Sequence, residues 1–239
     1  MQRIEEFVDE RQKAWCLHCA RPLAGLESSH DHVPTKGFLR KPRPHNLPVT
    51  TICLECNNAF SRDEQYAVTF LSCVLSGTTD PERQVNPSAA RALVASPALR
   101  SAIEQSCSKG LPLSDETTLT WHPDRERFAR VILKNARGHA FFEFGEPMLD
   151  EPDHVGFAPL PSLTGDLKAS FAVDSCTDTL APWPEVGSRM TTRIATGIDM
   201  AGDWVAVQDG QYRYSVDDHC GIRVRTVIAE YLATEVRWT

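Results

Sequence analysis

Two cysteine pairs, Cys16-Leu17-His18-Cys19 and Cys53-Leu54-Glu55-Cys56, constrain this chain more than any other feature. Each pair turns the backbone tightly enough for both sulfurs to face one point. Together they supply the four thiolates of a closed tetrahedral Zn²⁺ site. Such a site contributes folding energy and leaves no coordination position open, so the expected role is structural. His18 is a spare ligand that four cysteines make unnecessary. The other cysteines, Cys73, Cys107, Cys176 and Cys220, are isolated and are expected to fill cores as small apolar side chains.

A chain of 239 residues, 41% hydrophobic and 24% charged, is long enough for one or two ordinary globular domains. No apolar run approaches the ~18 residues that span a bilayer, so no membrane partner is expected. The polar, acidic start Met1-Gln2-Arg3-Ile4-Glu5-Glu6 is unlike a signal peptide, and a cytoplasmic location follows as the expectation. A net charge of −7 argues against broad coating of nucleic acid. Locally the balance differs: residues 1–78 hold nine Lys/Arg against nine Asp/Glu. Within them the stretch 36–43 carries Lys36, Arg40, Lys41 and Arg43 with no acid, a basic edge able to meet phosphates.

Residues 27–33 and 49–52 read as strands, the first stopped by Pro34, with an irregular, proline-bearing loop over 35–48. From Asn57 the apolar spacing becomes helical, through Phe60, Tyr66, Phe70, Leu71 and Val74 to Gly77. Ile4, Phe7 and Val8 suggest a short amphipathic helix over 1–14. Beyond a turn-rich boundary near 76–81, short helices over 89–94 and 98–103 are broken by Pro97. A strand over 117–121 and a helix over 124–137, capped by Gly138, come next. Strands are expected over 140–144, 169–173, 204–207 and 211–214, with Asp209-Gly210 a hairpin turn between the last two. Residues 223–238 read as strand or helix, and 145–168 and 174–190 as loops. The expected fold class is α+β: a zinc-stapled domain over 1–78, then a mixed α+β domain over 79–239.

The segment between the cysteine pairs carries the chemistry. Asp31 and His32 are adjacent on a strand, so their side chains point to opposite faces. A neutral His32 has the proton affinity to deprotonate an attacking water. Asp31 and the amide oxygen of Asn57 are hard donors suited to Mg²⁺ or Mn²⁺. His30 shares a strand face with His32, and His45 precedes Asn46 in the loop. His122, His139, His154 and His219 have no ligand spacing. Arg130, Lys134 and Arg137 share one helical stripe, expected to be a solvated face.

The order Cys-x-x-Cys, Asp-His-Val-x-x-Lys, Asn-Leu, Cys-x-x-Cys-Asn resembles the HNH endonucleases with the ββα-metal fold, over about residues 14–75. The resemblance implies a metal-dependent endonuclease acting on nucleic acid, DNA foremost, and leaving a 5′ phosphate. It makes His32 the general base, Asn46 the middle residue that locks the loop, and Asp31 and Asn57 the ligands of a catalytic divalent ion. Residues 57–66 are also similar to a bacterial subset with an acidic Ser-x-Asp-Glu-x-Tyr helix, and by analogy with small members a genome-defence role follows. Glu64, seven residues after Asn57 on the same helix face, is a further candidate ligand, a solvated glutamate being its default. Phe60 stands where many members carry lysine. Phosphate contacts then fall to Lys36, Arg40, Arg43 or Arg62, with His30 beside them. The competing expectation is a zinc-stapled module on the same scaffold that binds nucleic acid or a protein without cutting. Residues 79–239 are expected to bind substrate or a protein partner.

Overall fold

The computed structural model describes residues 1–4, 12–109, 119–173, 184, 186–218 and 221–239. Phe7 and Val8 of the expected N-terminal helix, and Cys176, His219 and Cys220, lie outside them. In chain order the strands are β1 (Ser28–His32), β2 (Val49–Cys53), β3 (Cys107–Lys109), β4 (Leu119–Trp121), β5 (His154–Pro159), β6 (Met200–Ala201), β7 (Trp204–Gln208), β8 (Tyr212–Asp218), β9 (Ile222–Ile228) and β10 (Leu232–Arg237). The helices are α1 (Leu54–Ser76), α2 (Pro87–Ala95), α3 (Pro97–Gln105), α4 (Arg125–Phe144), α5 (Gly165–Ala169) and α6 (Arg189–Thr196). The class is α+β. No helix among the described residues is long and apolar enough to cross a membrane.

The chain forms two compact units, Met1–Asn58 with Ile132–Thr239, and Ala59–Val131. The cuts fall within α1 and α4, and the expected boundary at 78/79 lies inside the second unit.

In the first unit, β1 and β2 form an antiparallel hairpin in which His32 pairs with Val49 and Ser28 with Cys53. Strands β5-β10-β9-β8-β7-β6 form one antiparallel sheet. The Asp209-Gly210 turn joins β7 to β8 as expected. Residues 223–238 resolve into two strands, β9 and β10, around a turn with left-handed Ala229 and Glu230. Two expectations fail here. A strand lies in the supposed loop 145–168: β5 pairs with β10 at the sheet edge, where its terminal proline costs no ladder bond. The supposed strand over 169–173 is instead the end of α5 and a turn, whose Phe171 is buried with Leu163, Trp204, Val227 and Ala233.

Helix α4 is the spine of this unit. Gly138 does not cap it, and residues 140–144 are helical rather than extended. Every residue from 134 to 145 is buried, so the polar face that would reveal a helical period is missing. Phe141 joins Cys16, Leu17, Ile52 and Cys53 in one apolar cluster. His139 stacks on Tyr214 of the sheet, with ring centroids 3.8 Å apart. Glu143 accepts hydrogen bonds from Arg193 of α6 at 2.9 Å and from the Tyr214 hydroxyl at 2.5 Å.

The second unit is mostly helical. Pro97 starts α3 instead of merely breaking a helix, and the Ser96 hydroxyl accepts from Leu99 N. Tyr66 and Phe70 of α1 meet Phe128 at 6.0 and 5.4 Å, and Cys73 is fully buried as expected. Asp63 of α1 pairs with Arg127 and Arg130, each at 2.7 Å, and these cations hold its carboxyl below the usual range against the effect of burial. The acidic helix after the second cysteine pair is therefore partly a structural brace.

Candidate metal centre and the His32 site

The four sulfurs of Cys16, Cys19, Cys53 and Cys56 lie within 4.8 Å of one another. The first pair is shaped by a tight turn in which Ala20, left-handed at φ 54°, donates its N–H to Cys16 O at 2.9 Å. The second pair ends β2 and opens α1, so the hairpin and helix meet at the sulfurs. Backbone N–H groups of Cys53 and Cys56 point at Cys16 Sγ (3.5 Å) and Cys53 Sγ (3.4 Å), as donors to thiolates do. Burial raises the Cys19 thiol, but the Arg21 guanidinium, with Nε 3.3 Å from Sγ, outweighs it and brings the pKa to about 6. Zn–S bonds of about 2.3 Å require sulfurs about 3.8 Å apart. Cys19 Sγ and Cys53 Sγ are separated by 3.8 Å, so the cluster fits a metal such as zinc.

The second expected ion is a different matter. Asp31 is 8% exposed; its Oδ1 accepts from Lys134 Nζ at 2.7 Å and its Oδ2 lies 3.9 Å from His18 Nε2. Burial alone would raise this carboxyl; His18 and Lys134 together hold it below the usual range. The anticipated solvated stripe of α4 is buried at Lys134 and Arg137, while Arg130 is exposed as expected. Lys134 serves Asp31, and Arg137 donates to His18 O at 3.2 Å and Asp150 O at 3.0 Å. Among the described residues, no second group of three or more His, Cys, Asp or Glu ligand atoms converges. Asn57 sits in the first turn of α1 and is partly buried. With an ammonium already on Asp31, these residues do not fit a divalent ion in this arrangement. Glu64 and Arg62 stand on the stretch of α1 that belongs to the second unit.

His32 ends β1 half-buried, beside exposed His30. Burial first, then the positive charges of Lys36, Lys134 and Arg43, push its pKa below the ordinary imidazole value, against the opposing pull of Asp31. Its ring is therefore neutral at pH 7. The following loop is tied down along its length. Thr35 N and Oγ1 donate to Asn135 Oδ1 at 2.8 and 3.2 Å. Gln208 and Gln211 flank the β7–β8 turn: Gln208 exchanges hydrogen bonds with Arg40 backbone at 2.8 and 3.1 Å, and Gln211 donates to Phe38 O at 2.6 Å. Arg43 Nε donates to Lys36 O at 3.1 Å. Lys36 and Arg40 are held exposed on this loop and Arg43 partly so, with Phe38 and Leu39 buried beneath. Asn46 is exposed, and the partner of its Nδ2 is Met1 O, 3.4 Å away, rather than the loop backbone it was expected to lock. Asn135, Gln208 and Gln211 perform that task, and nothing in their local sequence marks them.

Comparison of the chain with protein-family models, curated proteins and solved structures gave no match.

Proposed function

We propose that the chain is a nucleic-acid phosphodiesterase of the HNH endonuclease kind, with DNA as its substrate and His32 as general base. One observation carries the reading: an accessible imidazole, kept neutral beside Lys36 and Arg43, ends a strand that a four-cysteine metal staple joins to a helix. His32 takes a proton from a water whose oxygen forms the new bond to phosphorus. The bond from phosphorus to the 3′ oxygen breaks, the 3′ alkoxide takes a proton from solvent, and a 5′ phosphate remains. Lys36, Arg40 and Arg43 face the charge that builds on the phosphate oxygens. Zn²⁺ on the four thiolates holds strand and helix in register. The Mg²⁺ or Mn²⁺ expected on Asp31 and Asn57 has no place while Lys134 holds Asp31, and no step above runs through it.

Replacing His32 with alanine is expected to lower plasmid nicking by about 10²-fold or more, with circular dichroism and bound zinc unchanged. Only neutral imidazole accepts the proton, so kcat/KM should stay level as pH falls through about 6.5 and decline only below it. Full activity in the alanine variant sinks the assignment.

The buried Asp31–Lys134 pair favours one alternative, a zinc-stapled module that binds nucleic acid or a protein without cutting. Titrating Mg²⁺ and Mn²⁺ over plasmid and single-stranded substrates separates the two: binding without nicks at every metal concentration supports the module.

A further inference from the structure

The cysteine cluster at the end of β2 has a charge to balance as well as a metal to hold. A Zn²⁺ ion cancels only half the charge of four thiolates, so the loaded cluster is a dianion. Cys16 and Cys53 are buried and Cys19 and Cys56 partly so, which places much of that charge away from water. Such a charge is costly unless cations or N–H donors surround it. Two guanidinium groups of the first unit meet it, one from the solvent side and one from the core.

Arg21 follows the first cysteine pair, and Cys16 N donates to Arg21 O at 2.8 Å, which fixes its backbone against the turn. Its Nε donates to Cys19 Sγ at 3.3 Å and its Nη2 to Cys53 Sγ at 3.6 Å, so one planar fork spans both pairs. Glu55 holds the same guanidinium from outside. Arg137 of α4 reaches the cluster through the first turn: Nη1 donates to His18 O at 3.2 Å, between Cys16 and Cys19. Its Nη2 donates to the carbonyls of Leu149 and Asp150, at 3.4 and 3.0 Å. Burial lowers the pKa of this guanidinium, while Glu151, Cys56, Asp150 and Cys16 draw it back up. The sulfurs are part of what keeps a buried arginine charged.

We propose that Arg21 and Arg137 are the counter-cations of the metal centre, tightening its hold on zinc by balancing thiolate charge without ligating the ion. Arg21 acts by direct N–H contacts to sulfur, and Arg137 through space and the backbone of the first turn. The inference rests on a metal at the four cysteines and on no reaction at His32. It also ties occupancy of the centre to α4.

The test is zinc affinity of the full chain, measured by competition with a chelating dye, with cobalt(II) absorption as the check on the ligands. A native chain that takes up no zinc overturns the proposal together with the metal centre. Arg21→Gln should weaken zinc binding about tenfold, the low end for residues behind metal ligands. The low end applies because this side chain is 45% exposed and water replaces part of it. Arg21→Lys keeps the charge and should recover part of the loss, whereas Glu55→Gln keeps both sulfur contacts and should not weaken binding. Arg137→Gln should weaken zinc by about tenfold or more, since its buried charge has no such replacement. That variant is checked for folding by circular dichroism, and where it does not fold the Arg21 variants decide. Cobalt-loaded Arg21→Gln should keep the charge-transfer bands of four thiolates. Native affinity in Arg21→Gln overturns the proposal. So does an equal loss in Glu55→Gln, which would assign the effect to the surface ion pair. Missing thiolate bands overturn it too, because the ligands themselves would then have moved. None of these readouts depends on nicking, so an active His32→Ala protein leaves the result standing.

Discussion

Asp31 decides what the His32 site can be. Its carboxylate and the Lys134 ammonium are both buried, so neither is screened by water. Removing one partner strands the other charge at a cost of about 3–5 kcal/mol, whereas removing both costs far less. Lys134→Met is therefore expected to destabilise the protein by that amount, and Asp31→Asn combined with it to recover much of the loss. A double-mutant cycle of denaturant unfolding measures this. Additive losses would show that the pair is not coupled. The same variants bear on the second ion, because freeing Asp31 from its ammonium is the condition for any divalent cation to reach it. Lys134 lies 103 residues beyond Asp31, which is why the pair is invisible in the sequence. Asp31 and His32 are legible as chemistry because they sit inside a local motif. What holds Asp31 is not local, and a lysine at helical spacing reads as solvated by default.

At the scale of elements, the hairpin, α1 and the cysteine cluster were readable because their signals are short-range: ligand spacing, β-branched runs and a clean helical period. Helix α4 is readable over 124–137 but not over its last turns to Phe144. From Lys134 onward it is covered on all sides, and a helix without a wet face loses the alternation that identifies it. Gly138 then looks like a cap, though its actual role is close approach. A Cβ there would lie 2.5 Å from Val33 Cγ2 and 2.8 Å from Cγ1. Val33 is β-branched and stiff and cannot turn aside cheaply. Gly138→Ala would gain about 0.5–1 kcal/mol in helix propensity, less than the overpacking penalty of about 1–3 kcal/mol. The expected result is a net loss of stability in denaturant titration, reversed in part by adding Val33→Ala. A stabilised Gly138→Ala protein would refute the tight contact.

On the scale of the whole molecule, the first compact unit is assembled from both ends of the chain, with Ala59–Val131 inserted between them. A division at residue 78 would separate the cysteine hairpin from most of what packs on it. Asp31 would lose Lys134, Thr35 would lose Asn135, and Phe38 O would lose Gln211. The apolar cluster around Cys16 and Ile52 would lose Phe141. Four thiolates can still bind zinc in such a fragment, because their geometry is set by two local turns and one strand end. The His32 loop has a few local hydrogen bonds, such as Arg43 Nε to Lys36 O, but its fastenings to Asn135, Gln208 and Gln211 come from α4 and the β7–β8 turn. A fragment of residues 1–78 is therefore expected to take up one zinc per chain yet show narrow amide dispersion and rapid hydrogen exchange over 28–53. In the full chain the same amides should be protected. Protection of those amides in the isolated fragment would mean that the hairpin folds by itself and that α4 is dispensable to it.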